Sequence, residues 1–201
     1  MAKDFINCDM VRNNGIKLAV QIYEAGFIPD VIYVSLRGGA YLGNVLSECF
    51  KMLRKDRNVM YAAVLPRLYS GIKQRNNRLV VDGWTYPPDH LRPTDKILLV
   101  DDIFDSGITI NFIVDEFMNR GITRENIKVA VHDYKNFADQ KDLSVRPDYY
   151  CRKFDLKDRT EDVWIHCLSH ELLELTDDEL DEYYYKDYPE LKEWMDKLRN
   201  A

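Results

Sequence analysis

An α/β fold, a mostly parallel twisted sheet flanked by helices, is predicted by three observations. Short apolar runs rich in β-branched residues alternate with longer stretches of helical spacing. Glycine- or acid-bearing turns follow several of those runs, and the 201-residue chain suits one globular domain with an appendage. In order, Asp4 to Glu24 has helical spacing with Val11, Leu18 and Ile22 as core positions. Asp30 to Ser35 is a buried strand, Arg37-Gly38-Gly39 a turn, Ala40 to Leu53 a helix, and Asn58 to Leu65 a second strand. Lys96 to Asp101 is a third strand, followed by a helix from Ile108 to Arg120 that Gly121 can end. Ile127 to Val131, Asp148 to Cys151 and Val163 to Leu168 read as further strands. Thr176-Asp177-Asp178-Glu179 is a capping box, and after Pro189 the residues Leu191, Trp194, Met195 and Leu198 form one helical face.

Composition excludes several classes. With 46% hydrophobic and 31% charged residues the chain is not predominantly disordered. No apolar run approaches the ~18 to 20 residues of a membrane span, and the start lacks a signal-peptide core. Cys8, Cys49, Cys151 and Cys167 are widely spaced and read as reduced thiols. A cytoplasmic protein with no membrane and no nucleic acid partner is expected, the net charge of −6 weighing against the latter. That charge is concentrated in the tail, where residues 171–201 carry eleven Asp/Glu against four Lys/Arg. The body is left nearly neutral and able to hold an anion. Residues 66–95 are polar, with Gly71, Gly83, Pro87, Pro88 and Pro93, and show no clear period, so a lid or a disordered connection is expected there.

The chemistry is concentrated in Lys96-Ile97-Leu98-Leu99-Val100-Asp101-Asp102-Ile103-Phe104-Asp105-Ser106-Gly107-Ile108-Thr109. A buried strand delivers two carboxylates at its C-terminal end, where open α/β sheets bind ligands. Backbone N–H groups at Ser106, Gly107 and Ile108, two hydroxyls and a helix N-terminus then form a phosphate cradle. Adjacent carboxylates beside a phosphate need hydroxyl donors or a metal ion, and a ribose diol with Mg²⁺ meets that need.

The stretch resembles the phosphoribosyl-pyrophosphate signature of the type I phosphoribosyltransferases: an apolar strand, an acidic pair, two residues, then Asp-Ser/Thr-Gly-x-Thr. The resemblance extends over most of residues 1–171, which would form the phosphoribosyltransferase domain, with a hood at about 66–95; residues 172–201 would be an acidic helical extension. It implies that Asp101 and Asp102 hold the ribose hydroxyls and Mg²⁺. It also implies that Asp105, Ser106, Gly107, Ile108 and Thr109 bind the 5′-phosphate. Ser35-Leu36-Arg37-Gly38-Gly39 stands where the family has its pyrophosphate loop, often with a non-proline cis peptide, here at Leu36-Arg37. Glycines admit the anion and Arg37 offers forked donors, although an Arg-Gly-Gly taken alone is simply a turn. The hood tip of the family is often Ser-Tyr; Tyr69 and Ser70 are the nearest match and reverse it. Arg67, Lys73, Arg75 and Arg78 either help to hold pyrophosphate or are solvated.

Within the family, enzymes for 6-oxopurines place Asp where Asp105 stands, as acid or base at the imidazole edge; the plainer reading is a helix N-cap. Lys135 matches a lysine that donates to the oxo group and disfavours adenine, and taken alone is a surface lysine. Trp164 would stack on the base and the Ile165 backbone would read its edge, while Glu171 matches an acidic Mg²⁺ position. Departures are visible. The Trp-x-x-x-Pro-Trp run of bacterial xanthine–guanine enzymes is absent from His166 to His170. Asp177 replaces an arginine of the hypoxanthine–guanine enzymes, and Arg152 to Asp162 is a charged insertion. His166 and His170 lack zinc-site context. The resemblance implies purine salvage from phosphoribosyl pyrophosphate and a purine base, with hypoxanthine, guanine and xanthine in that order, by a homodimer or homotetramer. A regulator of the same fold that binds phosphoribosyl pyrophosphate and nucleic acid without catalysis is the alternative.

Overall fold

The first segment, expected to be helical from Asp4, instead begins as a strand. In the computed structural model, which describes residues 2–54, 56, 58–69, 78–140 and 143–200, β1 (Ala2–Ile6) precedes α1 (Cys8–Glu24). There follow β2 (Val31–Ser35), α2 (Ala40–Leu53), β3 (Met60–Tyr69), β4 (Arg78–Trp84), β5 (Ile97–Phe104) and α3 (Ile108–Met118). The chain continues through β6 (Ile127–Phe137), β7 (Tyr149–Leu156), β8 (Val163–Cys167), α4 (Asp177–Leu180) and α5 (Leu191–Arg199). The side chains of residues 68, 69 and 78 lie outside the described set. Packing divides the chain into two units, Asp9–Asp162 and the paired chain ends Met1–Cys8 with Val163–Ala201.

In the larger unit a six-stranded sheet has the order β4-β3-β2-β5-β6-β7, parallel throughout except for the antiparallel β3–β4 hairpin. Strand alternation sorts its core into two layers. Val31, Tyr33, Ile97, Leu99, Val129 and Val131 face Ile110, Ile113, Val114 and Phe117 of α3. Ile32, Val34, Leu98, Val100 and Ala130 face Leu18, Ala19 and Ile22 of α1 and Leu42, Leu46 and Phe50 of α2. Burial on both faces is why these strands read as continuous apolar runs. Phe117 is fully buried, its ring 5.0 Å from Tyr33 and 5.3 Å from Trp84. Phe117→Ala is therefore expected to lower unfolding free energy by about 3–5 kcal/mol, read from urea denaturation midpoints.

Part of the interval expected to be an unpatterned lid is regular. The hairpin pairs Tyr69 with Arg78 and Val64 with Trp84, and its register shifts at Leu65/Pro66, where proline supplies no N–H. A single 3₁₀ turn at Pro88–His90 follows. Ser70, Lys73 and Arg75 lie outside the described residues.

In the smaller unit β1 pairs in parallel with β8, Ala2 opposite Val163 through Ile6 opposite Cys167. The boundary expected at residue 171 thus falls inside this unit, because the strand Val163–Cys167 is hydrogen-bonded to the chain start. The two late strands read at Asp148 to Cys151 and Val163 to Leu168 are in different sheets. The capping box forms, with Thr176 and Glu179 bonded reciprocally, and Lys3 Nζ lies 2.7 Å from Glu179. Leu175, Leu180 and Met195 make a small core with Phe5, Tyr184 and Tyr185. Among the described residues no helix is long and apolar enough to cross a membrane.

Candidate functional site

At the C-terminal end of the sheet, β2 and β5 run side by side, with Val34 opposite Val100. One step beyond that pair, the Ser35 hydroxyl donates to the Asp101 carboxylate. The Asp101 and Asp102 carboxyl groups meet, and the backbone N–H groups of Asp102 and Ile103 donate to Asp101 and Asp102 at 3.1 and 2.8 Å. Burial, then the neighbouring Asp102 charge, raises the Asp101 carboxyl well above the ordinary carboxylate range.

The turn after β2 closes directly on these acids. The Leu36-Arg37 peptide is cis, as the resemblance implied. A Cβ on Gly38 would stand 2.1 and 2.4 Å from the two carboxylate oxygens of Asp102. A Cβ on Gly39 would stand 2.6 Å from the Val100 carbonyl oxygen and 2.9 Å from that of Ser35. Only glycine lets the backbone approach this closely. Arg37 is exposed beside the turn, and α2 begins at Gly39 with no side-chain cap.

The second turn is built alike. Gly107 has φ 72° and starts α3 without a capping side chain of its own; the Ile108 N–H donates to Ser106 Oγ at 3.4 Å, and the next amides of the first turn have the direction that suits an anion. Its left-handed backbone and the Phe104 and Leu143 side chains against it leave no room for a Cβ. The loop is fastened from behind by Asn111. The Asn111 amide donates to the carbonyl oxygens of Gly107 and Val145, both at 2.9 Å, and its oxygen accepts from Ser144 Oγ and the Val145 N–H. Gln140 Nε2 also donates to the Ser106 carbonyl oxygen. Asn111→Ala leaves the two carbonyls and the Val145 amide short of these partners. It should cost about 1–3 kcal/mol in urea unfolding and speed hydrogen exchange at Gly107 to Asn111.

Asp105 is not a plain N-cap: Arg159 Nη1 donates to its carboxylate. Lys135 is not a surface lysine. Its side chain is 7% exposed and Nζ donates to Asp162 at 2.7 Å. Arg159 also lies 3.5 Å from Asp162, so Asp105, Arg159, Asp162 and Lys135 form one alternating chain of charges. Asn111, Arg159 and Asp162 were outside the expected site: Asn111 is a single polar residue with no motif, and Arg159 and Asp162 belonged to the charged insertion.

Trp164, Ile165 and Glu171 belong to the smaller unit. Trp164 is exposed and Ile165 buried, while Glu171 accepts from the Cys167 N–H at 3.0 Å and stands 3.5 Å from His166 Nδ1. Tyr69 ends β3, with its backbone alone described, and Ser70 is outside the described residues. Among the described residues no cluster of three His, Cys, Asp or Glu is placed to hold a metal. The hard, adjacent oxygens of Asp101 and Asp102 still suit Mg²⁺, which commonly takes one or two carboxylates and completes its shell with water and substrate oxygens.

Solved structures share this architecture. A purine phosphoribosyltransferase from Pyrococcus horikoshii superposes with TM-score 0.65 at 22% identity, covering 88% of this chain and 99% of that one. The fold is that of the type I phosphoribosyltransferases. A hypothetical protein from Neisseria gonorrhoeae with bound ppGpp has the same TM-score of 0.65 at 18% identity, over 90% of this chain and 93% of that one. A hypoxanthine phosphoribosyltransferase from Staphylococcus aureus reaches 0.56 at 14% identity, covering 74% and 75%. No family model and no curated protein sequence matches the chain. In the phosphoribosyltransferase fold found here, the two glycine turns and the acid pair occupy the C-terminal end of the central strands.

Proposed function

We propose that this protein is a purine-salvage phosphoribosyltransferase that joins a 6-oxopurine to the ribose of phosphoribosyl pyrophosphate. The observation that carries the reading is the approach of Gly38 to Asp102, which puts the Arg37-Gly38-Gly39 turn against the acid pair. A sugar carrying pyrophosphate at one carbon and phosphate at another needs an anion turn on either side of a diol-binding acid pair. The Gly107 turn is the second of those. In the reaction the bond from the anomeric carbon to pyrophosphate breaks, a bond to a purine nitrogen forms, and that nitrogen loses its proton.

On this reading Arg37, Gly38 and Gly39 hold the leaving pyrophosphate, with Leu36 shaping the turn. Asp105, Ser106, Gly107, Ile108 and Thr109 grip the 5′-phosphate through first-turn amides and hydroxyls. Asp101 and Asp102 accept from the ribose hydroxyls and would hold Mg²⁺, which supplies charge neutralisation of the departing pyrophosphate. Asp105 is the group available to take the purine proton. The 6-oxopurine preference is supported by the placement of Lys135, a cationic donor linked to Asp105 through Arg159 and Asp162.

The test is incubation with phosphoribosyl pyrophosphate, Mg²⁺ and, separately, hypoxanthine, guanine, xanthine, adenine or uracil, following pyrophosphate release. Release with one of the first three bases is expected. Release with adenine or uracil alone would refute the base class, and release with none would refute the enzyme. Because a neighbour of this fold holds ppGpp, that nucleotide belongs in the same assay as a competitor.

A further inference from the structure

Lys135 and Asp162 are both nearly buried, with side chains 7% and 11% exposed, and their Nζ–Oδ1 bond is 2.7 Å. Stability gives little reason to keep such a pair, because desolvating two charges costs about as much as their attraction returns. Its place gives a better one. Arg159 contacts both Asp162 and Asp105, with its guanidinium 3.9 Å from the centroid of the Phe137 ring. Three chain segments are thereby held in one frame: the β5–α3 turn, the end of β6, and the turn at Arg159–Glu161.

We infer that Asp162 determines base specificity, accepting the N1–H of a 6-oxopurine while Lys135 donates to the adjoining oxo oxygen. The inference rests on the proposed function and deepens it. A 6-oxopurine presents an acceptor and a donor side by side on one edge. The Lys135–Asp162 pair presents a donor and an acceptor side by side, which is the complementary order. An ammonium has three N–H donors, and a carboxylate accepts up to about four bonds, so each partner can serve the base without releasing the other. Adenine carries the reverse edge, an amino donor beside a bare ring nitrogen. It would set its amino group toward the ammonium and its lone pair toward the carboxylate, and both contacts are repulsive. Arg159 is a positioning residue here, holding the Asp162 carboxylate and Asp105 at a constant separation.

Asp162→Asn keeps the shape but makes the acceptor ambiguous, since an amide also offers N–H donors. The ratio of kcat/KM for hypoxanthine over adenine should fall at least about tenfold, with the Kd for phosphoribosyl pyrophosphate within about twofold of wild type. A second comparison guards against a misfolded variant. Replacing both charges by apolar volume, as in Lys135→Met/Asp162→Leu, is a change buried pairs tolerate, whereas Lys135→Met leaves Asp162 with Arg159 as its cation, so thermal unfolding of both variants accompanies the kinetics. The double variant should lose at least about threefold more selectivity than the single one. An unchanged ratio in Asp162→Asn with sugar binding intact would overturn the inference, as would a double variant no less selective than Lys135→Met. Failure of the wild-type chain to react with any base is a different outcome and refutes the underlying function instead.

Discussion

Gly38→Ala is expected to abolish phosphoribosyl pyrophosphate binding while leaving the chain folded. The added methyl meets no backbone atom first; it meets both carboxylate oxygens of Asp102, at 2.1 and 2.4 Å. Either the turn withdraws from β5 or the carboxylate rotates off the Ile103 N–H that holds it at 2.8 Å. Both movements separate the Arg37-Gly38-Gly39 turn from the acid pair, and neither enters the core layers formed by α1, α2 and α3. Losing an aligned, charge-assisted contact costs about 2–5 kcal/mol, or at least about thirtyfold in Kd. Calorimetry with phosphoribosyl pyrophosphate and Mg²⁺ measures the binding, and thermal unfolding reports the fold. Gly39→Ala is the informative contrast. Its methyl would strike the Val100 and Ser35 carbonyls, which are strand backbone, so thermal stability should fall as well. Wild-type affinity in Gly38→Ala would break the proposed link between the turn and the acids.

Asp101→Asn should do two opposite things: stabilise the empty protein and stop its turnover. The folded chain holds the Asp101 proton to a higher pH than the unfolded chain does, because burial and the Asp102 charge both disfavour ionisation. Folded protein therefore binds more protons than unfolded protein above the ordinary aspartate value of about 3.9, and stability falls as pH rises from there through the raised folded value. Asparagine removes this dependence. The variant and wild type should melt together below about pH 4, with the variant pulling ahead as pH rises. Turnover should fall at least about a hundredfold, the scale of losing one preorganised polar contact to the reacting group. Phosphoribosyl pyrophosphate with Mg²⁺ at about a hundred times Kd should raise wild-type stability by about 2.7 kcal/mol and the variant's far less. A variant less stable than wild type at neutral pH would contradict the electrostatic account of this pair.

The strands Val31–Ser35 and Ile97–Phe104 were legible because burial on both faces leaves a run of apolar residues that needs no knowledge of neighbours. The acid pair and the Gly107 turn were legible for the same reason, since their chemistry lies within one short stretch of chain. Ala2–Ile6 was not. Its residues, Ala-Lys-Asp-Phe-Ile, show no strand pattern, and its partner Val163–Cys167 lies about 160 residues away. The β4 strand was missed because Asp82, Gly83 and the preceding polar stretch mask the alternation of an edge strand, whose outer side need not be apolar.

Sequence alone determined the α/β class, the position of the acid pair and the identity of the two glycine turns, because each is written in contiguous residues whose backbone demands are local. Tertiary structure decided the pairing of the chain ends and the fit of Gly38 against Asp102. It also decided the charge chain from Asp105 through Arg159 and Asp162 to Lys135. These depend on distances across loops of tens of residues, and a carboxylate acquires its partner only when the sheet has brought the two segments within a few ångströms.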